Sequence, residues 1–343
     1  MKTALSANDI KQMLRVATGS TLGFALSKLL DWPNGIFFTL YPMLILGLVP
    51  VLNAHIVRQF AASAAFCAIA VLVVQGLFGF HPALMVMLTF TLFAFLFYQM
   101  SKGVNFLFGA ISLVGLSIQL HFASYSTSGV SIYQLIFSNI LASVVSLLLG
   151  YLMHWIFADV EPRQSMVRPP KDSASVRHEV LLCASVSTLS FIVFQIFDLQ
   201  DSLSAQAASV LILFPLCWKA AGMAGWQRII GTLIGCNLAL MAQLILLDYS
   251  HILLFPVIVL WILTFAFARY HMLNNGIPGV GFGIITTFGI LFGQSLLPNQ
   301  DLVYSALYRF SSVCIAIIVS LSAIYLIHYG LNYFTITRHH TFD

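Results

Sequence analysis

Long apolar runs separated by short polar breaks make up almost the whole chain. In the first half they fall at 15–30, 36–52, 60–78, 83–100, 104–122 and 132–157. Runs of about 17 to 26 residues are long enough for a helix to cross a hydrocarbon core of roughly 30 Å with some tilt. Polar residues then take over, with Asp159, Glu161, Arg163, Arg168, Lys171, Asp172 and Arg177 around a Pro169-Pro170 break. Six further runs follow at 180–197, 203–222, 229–247, 252–270, 277–297 and 304–333. The pattern predicts an all-α polytopic membrane protein of twelve transmembrane helices. A first six-helix unit covers 1–157, a cytoplasmic linker 158–178, a second unit 179–337 and a tail 338–343. Ser6 and Asp9 have capping-box spacing, which predicts a helix start near Ala7. The run at 15–30 holds Thr18, Gly19, Ser20 and Gly23 without a small-x-small site, so a cleaved signal peptide is not expected.

Composition turns this pattern into a class. Of 343 residues, 60% are hydrophobic and 8% charged, whereas a soluble domain carries roughly a quarter of its residues as charges. The partner implied for this surface is a lipid bilayer. A formal charge of +4 with no basic tail or aromatic-interleaved patch argues against nucleic acid. Cys67, Cys183, Cys217, Cys236 and Cys314 all lie in apolar runs and read as small buried hydrophobes. Basic residues set the orientation. With the N-terminus inside, Lys2, Lys11, Arg15, Arg58, Lys102, Arg163, Arg168, Lys171, Arg177, Lys219, Arg228, Arg269 and Arg338 are cytoplasmic. Lys28 and Arg309 are the exceptions, and Asp31, Asp198, Asp201, Asp248 and Asp301 fall outside. Both termini are then cytoplasmic.

The two halves align with each other. Asp31 pairs with Asp198, Met43-Leu-Ile-Leu46 with Val210-Leu-Ile-Leu213, and Leu92-Phe-Ala-Phe95 with Thr264-Phe-Ala-Phe267. Phe108-Gly-Ala-Ile-Ser-Leu-Val-Gly115 matches Phe282-Gly-Ile-Ile-Thr-Thr-Phe-Gly289, and Ser138, Ala142 and His154 match Ser312, Ala316 and His328. An even number of crossings per half makes these parallel repeats, related by an axis along the membrane normal. Arg58, Ala61 and Ala65 repeat the spacing of Arg228, Gly231 and Gly235.

The element Arg228-Ile-Ile-Gly-Thr-Leu-Ile-Gly235, the opening helix with Arg15, Gly19 and Gly23, and the six-plus-six layout resemble the fusaric acid resistance and aromatic acid exporter superfamily. The similarity is to its short members of unknown function. It implies an exporter of aromatic carboxylic acids or related xenobiotics in the bacterial inner membrane, working with a periplasmic membrane-fusion adaptor. Unlike the longer exporters, the sequence carries no large cytoplasmic domain after either half.

Several residues are candidates for transport chemistry. Arg309 lies a few residues into the last run. It reads either as an anion-attracting guanidinium, able to hold a carboxylate through two hydrogen bonds, or as a side chain that snorkels or pairs with Asp301 or Asp248; its first-half counterpart is Leu135. Lys28 has the same two readings. Arg15, Arg58 and Arg228 open helices from the cytoplasm, as topology anchors or as a basic vestibule for organic anions. The pairs Gly19/Gly23 and Gly231/Gly235 suit close helix packing. His154, His328, Glu179, Asp31 and Asp198 are candidates for proton handling, since no carboxylate sits deep in any run. The Asn274 to Gly283 stretch reads as a loop or a broken helix start. No HExxH, GxSxG or ligand-spaced Cys/His set is present, so no catalytic residue, metal or cofactor is expected. Export of an organic anion is the leading reading. A gated organic-anion channel and a non-transporting subunit that docks an adaptor are the alternatives.

Overall fold

Backbone groups in lipid must be satisfied within the chain, and the apolar runs meet that requirement as helices. A computed structural model of the chain describes residues 4–124, 131–163, 171–199, 202–246, 249, 252–274, 279–294 and 302–338. Twelve α-helices run through them: α1 (Ala7–Leu29), α2 (Gly35–Leu48), α3 (Ala54–Val71), α4 (Pro82–Lys102), α5 (Phe106–Ser124), α6 (Ile132–Ile156), α7 (Ser173–Ile196), α8 (Leu203–Leu211), α9 (Trp218–Ile245), α10 (Leu254–Leu273), α11 (Val280–Gln294) and α12 (Leu302–Tyr333). A π-helical stretch, Leu72–Leu77, extends α3. The protein is a multi-pass membrane protein, all-helical among the described residues. Among the described residues eight helices are long and apolar enough to cross a bilayer. The expected twelve crossings are not all of this kind. Helices α2, α8 and α11 have 14, 9 and 15 residues, or roughly 21, 14 and 22 Å at 1.5 Å per residue. These short helices are buried nearly all round, over 36–47, 203–210 and 281–292, as a helix without a polar face should be.

Local chemistry sets the ends of the helices. Ser6 Oγ accepts from the Asp9 amide at 3.1 Å and Asp9 Oδ2 from the Ser6 amide at 2.9 Å, the capping box that starts α1 at Ala7. Asp172 caps α7 through the Ala174 amide, so this helix begins inside the stretch read as linker. Helices α1 and α7 end in the same way. Asp31 (φ 48°) and Asp198 (φ 50°) are left-handed, and the next amides, of Trp32 and Leu199, donate back to Ser27 and Phe194 at 2.8 and 3.1 Å. This is a Schellman stop, with aspartate where glycine is more common.

The run at 203–222 does not fold as one helix. Pro215 lacks an N–H and Leu216 adopts φ 59°, so α8 stops at Leu211 and α9 restarts at Trp218, eleven residues before the run at 229–247. Inside α2, Pro42 cannot donate to the Phe38 carbonyl one turn earlier. Gly23 of α1 packs against that carbonyl so closely that a Cβ would collide with it.

The chain forms two compact units, and each takes elements from both sequence halves. The first comprises 1–57, 137–165 and 227–311; the second comprises 58–136, 166–226 and 312–343. In the first unit α1 packs on α2 and α10, and α11 packs on α2 and α10. Phe24, Met43, Cys236, Leu260, Phe288 and Phe292 form its core. In the second unit α4 packs on α7 and α5, and α8 packs on α5 and α7.

Candidate functional site

The first unit gathers a contiguous polar cluster around the buried end of α2. Helix ends leave carbonyls without partners, and here side chains supply the donors. Gln12 Nε2 donates to the Leu46 and Gly47 carbonyls at 3.1 and 3.2 Å, and His271 Nε2 to Gly47 at 2.9 Å. The His271 ring lies 5.1 Å from that of Phe282 in α11. One turn along α11, Thr286 gives its hydroxyl hydrogen to the Phe282 carbonyl at 2.8 Å and accepts from Arg228 Nη1 at 2.7 Å. Arg228, Thr286, Phe282 and His271 thus form a continuous chain of contacts.

Arg228 is the charge in this cluster. It is 7% exposed, and its Nε has no hydrogen-bond partner. Among the described residues no carboxylate pairs with it, whereas Arg15, Arg163 and Lys171 all have one. An arginine placed centrally in a bilayer costs about 2.5–3.5 kcal/mol on insertion scales. Burial this complete depends on glycine. A Cβ on Gly231 would lie 2.9 Å from both Gly283 Cα and the Val280 carbonyl oxygen, and one on Gly235 would lie 2.9 Å from Thr287 Cβ. Helices α9 and α11 meet there with backbone against backbone. Gly19 and Gly23 likewise leave no room for a side chain against Leu46 and Phe38.

Other sequence candidates lie elsewhere. Arg15 is 1% exposed and is engaged within the protein: Nε donates to the Phe157 carbonyl at 2.8 Å and Nη2 meets Asp159 at 2.5 Å. Together with Asn8, which brackets Val160 and Glu161, it clasps the segment after α6 onto α1. Arg58 and Lys28 are exposed at helix ends and Arg309 is half-buried near the start of α12. Of the partners considered for Arg309, Asp248 and Asp301 lie outside the described residues, as do Arg168, Pro169 and Pro170 of the linker and 275–278 of the Asn274 to Gly283 stretch. His154 bonds back to the Gly150 carbonyl of its own helix at 2.8 Å. Asp31 and Asp198 are exposed. In the second unit Glu179 is buried, accepting from Ser101 Oγ and Lys171 Nζ at 2.6 Å each. His328 meets His178 there.

Gln12 and Thr286 are uncharged and His271 is counted as neutral, so none of them leaves a mark on a charge census. A signal for Gln12 was nonetheless present, because it precedes Asp31 by the same 19 positions that separate Glu179 from Asp198.

Two family models match the chain, one in each half. Residues 189–323 match the family described as fusaric acid resistance protein-like. Residues 12–153 match a family described as protein of unknown function (DUF2955). No curated relative and no solved structure matches.

Proposed function

We propose, from a chain that carries a fusaric acid resistance protein-like domain and is consistent with membership of that family, that this membrane transport protein exports amphiphilic organic anions. Aromatic carboxylic acids or related xenobiotics are the substrates, and Arg228 is the group that recognises the carboxylate. The supporting observation is its guanidinium, buried among α9 and α11 with an unsatisfied Nε and no carboxylate partner among the described residues. A substrate carboxylate would supply the missing acceptor, and Phe282 offers an aromatic surface within the same cluster. Hydrogen bonds to a charged group contribute about 1.5–3 kcal/mol, or roughly 10- to 150-fold in affinity.

In this reading the protein lies in the bacterial inner membrane with both termini cytoplasmic, and a periplasmic membrane-fusion adaptor is its partner. Its halves, 1–157 and 179–337, are parallel repeats joined by 158–178. Three findings support that arrangement. The two Schellman stops at Asp31 and Asp198 are alike. The packing of α1 on α10 and α2 on α11 becomes that of α7 on α4 and α8 on α5 when each helix is replaced by its counterpart six helices away. A separate family model covers each half. Within the first unit the short α2 ends at this cluster, and short, interrupted helices are where transporters of this general design hold substrate.

The test is uptake of radiolabelled aromatic acids into inside-out vesicles, with and without an imposed pH gradient. Accumulation by the wild type that Arg228→Gln abolishes and Arg228→Lys partly keeps is the expected result. Accumulation unaffected by Arg228→Gln would remove Arg228 from the path. Equilibration without accumulation would indicate the channel, and no flux from correctly inserted protein the docking subunit.

A further inference from the structure

Both units contain a clasp in which the first helix of a half holds the segment after its sixth helix. In the first unit the clasp has permanent charge, Arg15 on the Phe157 carbonyl and Asp159. Its counterpart in the second unit is made by Arg177 and His178 of α7. Arg177 Nε donates to the Ile336 carbonyl at 3.1 Å, and His178 Nδ1 lies 2.8 Å from the Thr337 carbonyl. The other nitrogen of His178, Nε2, lies 2.8 Å from His328 Nδ1, and His328 Nε2 lies 3.0 Å from Asn332 Nδ2.

This chain of contacts fixes its own protons. A carbonyl only accepts, so His178 Nδ1 carries hydrogen and Nε2 of the neutral ring accepts. His328 Nδ1 must then donate, and its Nε2 accepts from the Asn332 amide. Both rings are satisfied with one hydrogen each.

We propose that the His178–His328 pair is a binding site for one proton, which tightens the clasp at the end of α12. The proton enters at His328, which is half-buried, whereas His178 is 2% exposed. An O–H bond of hydronium breaks, leaving water, as its proton bonds to His328 Nε2; the Nδ1–H bond of His328 breaks, and a new N–H bond forms on His178 Nε2. Asn332 turns its amide to present oxygen to the new His328 Nε2–H. His178 is then an imidazolium whose hydrogen bond to Thr337 is charge-assisted, about twice as strong as the neutral one. A second proton would set two N–H groups against each other across 2.8 Å, so the pair holds one. The Trp218 ring lies tilted against His328 at 5.4 Å and 32°, so it adjoins the ring whose hydrogen changes nitrogen.

The charged groups on the surrounding elements are mostly cations, so hydrogen bonding and not charge pairing must hold the proton. On α7, Arg177 is turned to the Ile336 carbonyl and the neighbouring Glu179 is paired with Lys171. From the C-terminal segment Arg338 donates to the Asn332 carbonyl. Lys219 follows Trp218 on α9, Lys102 ends α4 beside Tyr98, and Tyr325 of α12 packs on Trp218. The site stands on its own geometry, and its consequence for transport rests on the reading above.

The decisive measurement needs no substrate, so its failure is distinct from failure of the transport reading. Difference potentiometric titration of the full chain in micelles, wild type against His178→Gln/His328→Gln, should give one proton between pH 8 and 5. Two protons would show independent histidines and none a permanently neutral pair; either overturns the proposal. If the double variant misfolds, Trp218 gives a second readout within the wild type. Its fluorescence should change with a one-proton slope as pH falls, with the change absent from Trp218→Phe. A pH-independent Trp218 signal would also overturn the proposal.

Discussion

Replacing Gly231 with alanine tests whether backbone contact between α9 and α11 is what buries Arg228. The new methyl would lie 2.9 Å from Gly283 Cα and from the Val280 carbonyl oxygen, both main-chain atoms that no rotamer change can move. Restoring ordinary contact requires α9 and α11 to separate by ~0.5–1 Å. Such a gap forfeits about a quarter to a half of each dispersion contact of about 0.1–0.2 kcal/mol. Over the roughly forty atom pairs of one buried side chain, the loss is about 1–4 kcal/mol, in line with the roughly 1–3 kcal/mol of an overpacked core. In lipid no hydrophobic force drives the helices back together, so this loss is not offset. Gly222, earlier on the same helix, has nothing within 4 Å of its Cβ position. Alanine there should stabilise by about 0.8–1 kcal/mol through helix propensity alone. The assay is the unfolding midpoint in micelles for both single variants. Gly231→Ala should fall below wild type while Gly222→Ala rises; a Gly231→Ala protein as stable as Gly222→Ala would refute backbone contact at this crossing.

Two other substitutions probe how the helices end. Gln12→Leu leaves the buried Leu46 and Gly47 carbonyls short of a donor and should destabilise by about 1–3 kcal/mol, measured by denaturant titration; an unchanged midpoint would mean His271 alone caps α2. At the start of α7, amide hydrogen bonds from Ala174 and Ser173 hold the exposed Asp172 carboxyl below the usual carboxylate value. Because its folded pKa is lowered, its stabilisation is full at neutral pH and is lost as pH falls through that lowered value. Asp172→Asn, which keeps a capping side chain, should flatten this part of the acid dependence of the melting midpoint, and an identical acid profile would contradict it.

Much of this architecture was legible in the pattern of apolar runs, because lipid leaves the chain little choice but helix. The capping box at Ser6 and Asp9 set the start of α1 to the residue. Hydropathy fails at Phe214-Pro215-Leu216, where a turn is made of residues as apolar as the helices beside it, so the apolar runs overstate α8 and understate α9. Arg58 and Arg228 share a spacing yet differ in burial. The difference lies in α11, whose Gly283 lets Arg228 be covered, and a helix's own sequence cannot report its neighbour. His178 went unremarked for a related reason: its role depends on a carbonyl at Thr337, 159 positions away.

The interleaving of the two units also governs how the chain must be made. Helices α1 and α2 emerge from the ribosome long before α10 and α11, the helices they pack against. The first unit cannot close until α10 and α11 are inserted, whereas the packing of α4, α5, α7 and α8 in the second is complete once Leu211 is in place. Until α10 and α11 arrive the short α2 lacks the α11 face and the His271 donor at its end, although Gln12 and Arg15 already have their partners in the first half. Truncation ahead of α10 should therefore remove the packing of the first unit while leaving that of α4, α5, α7 and α8.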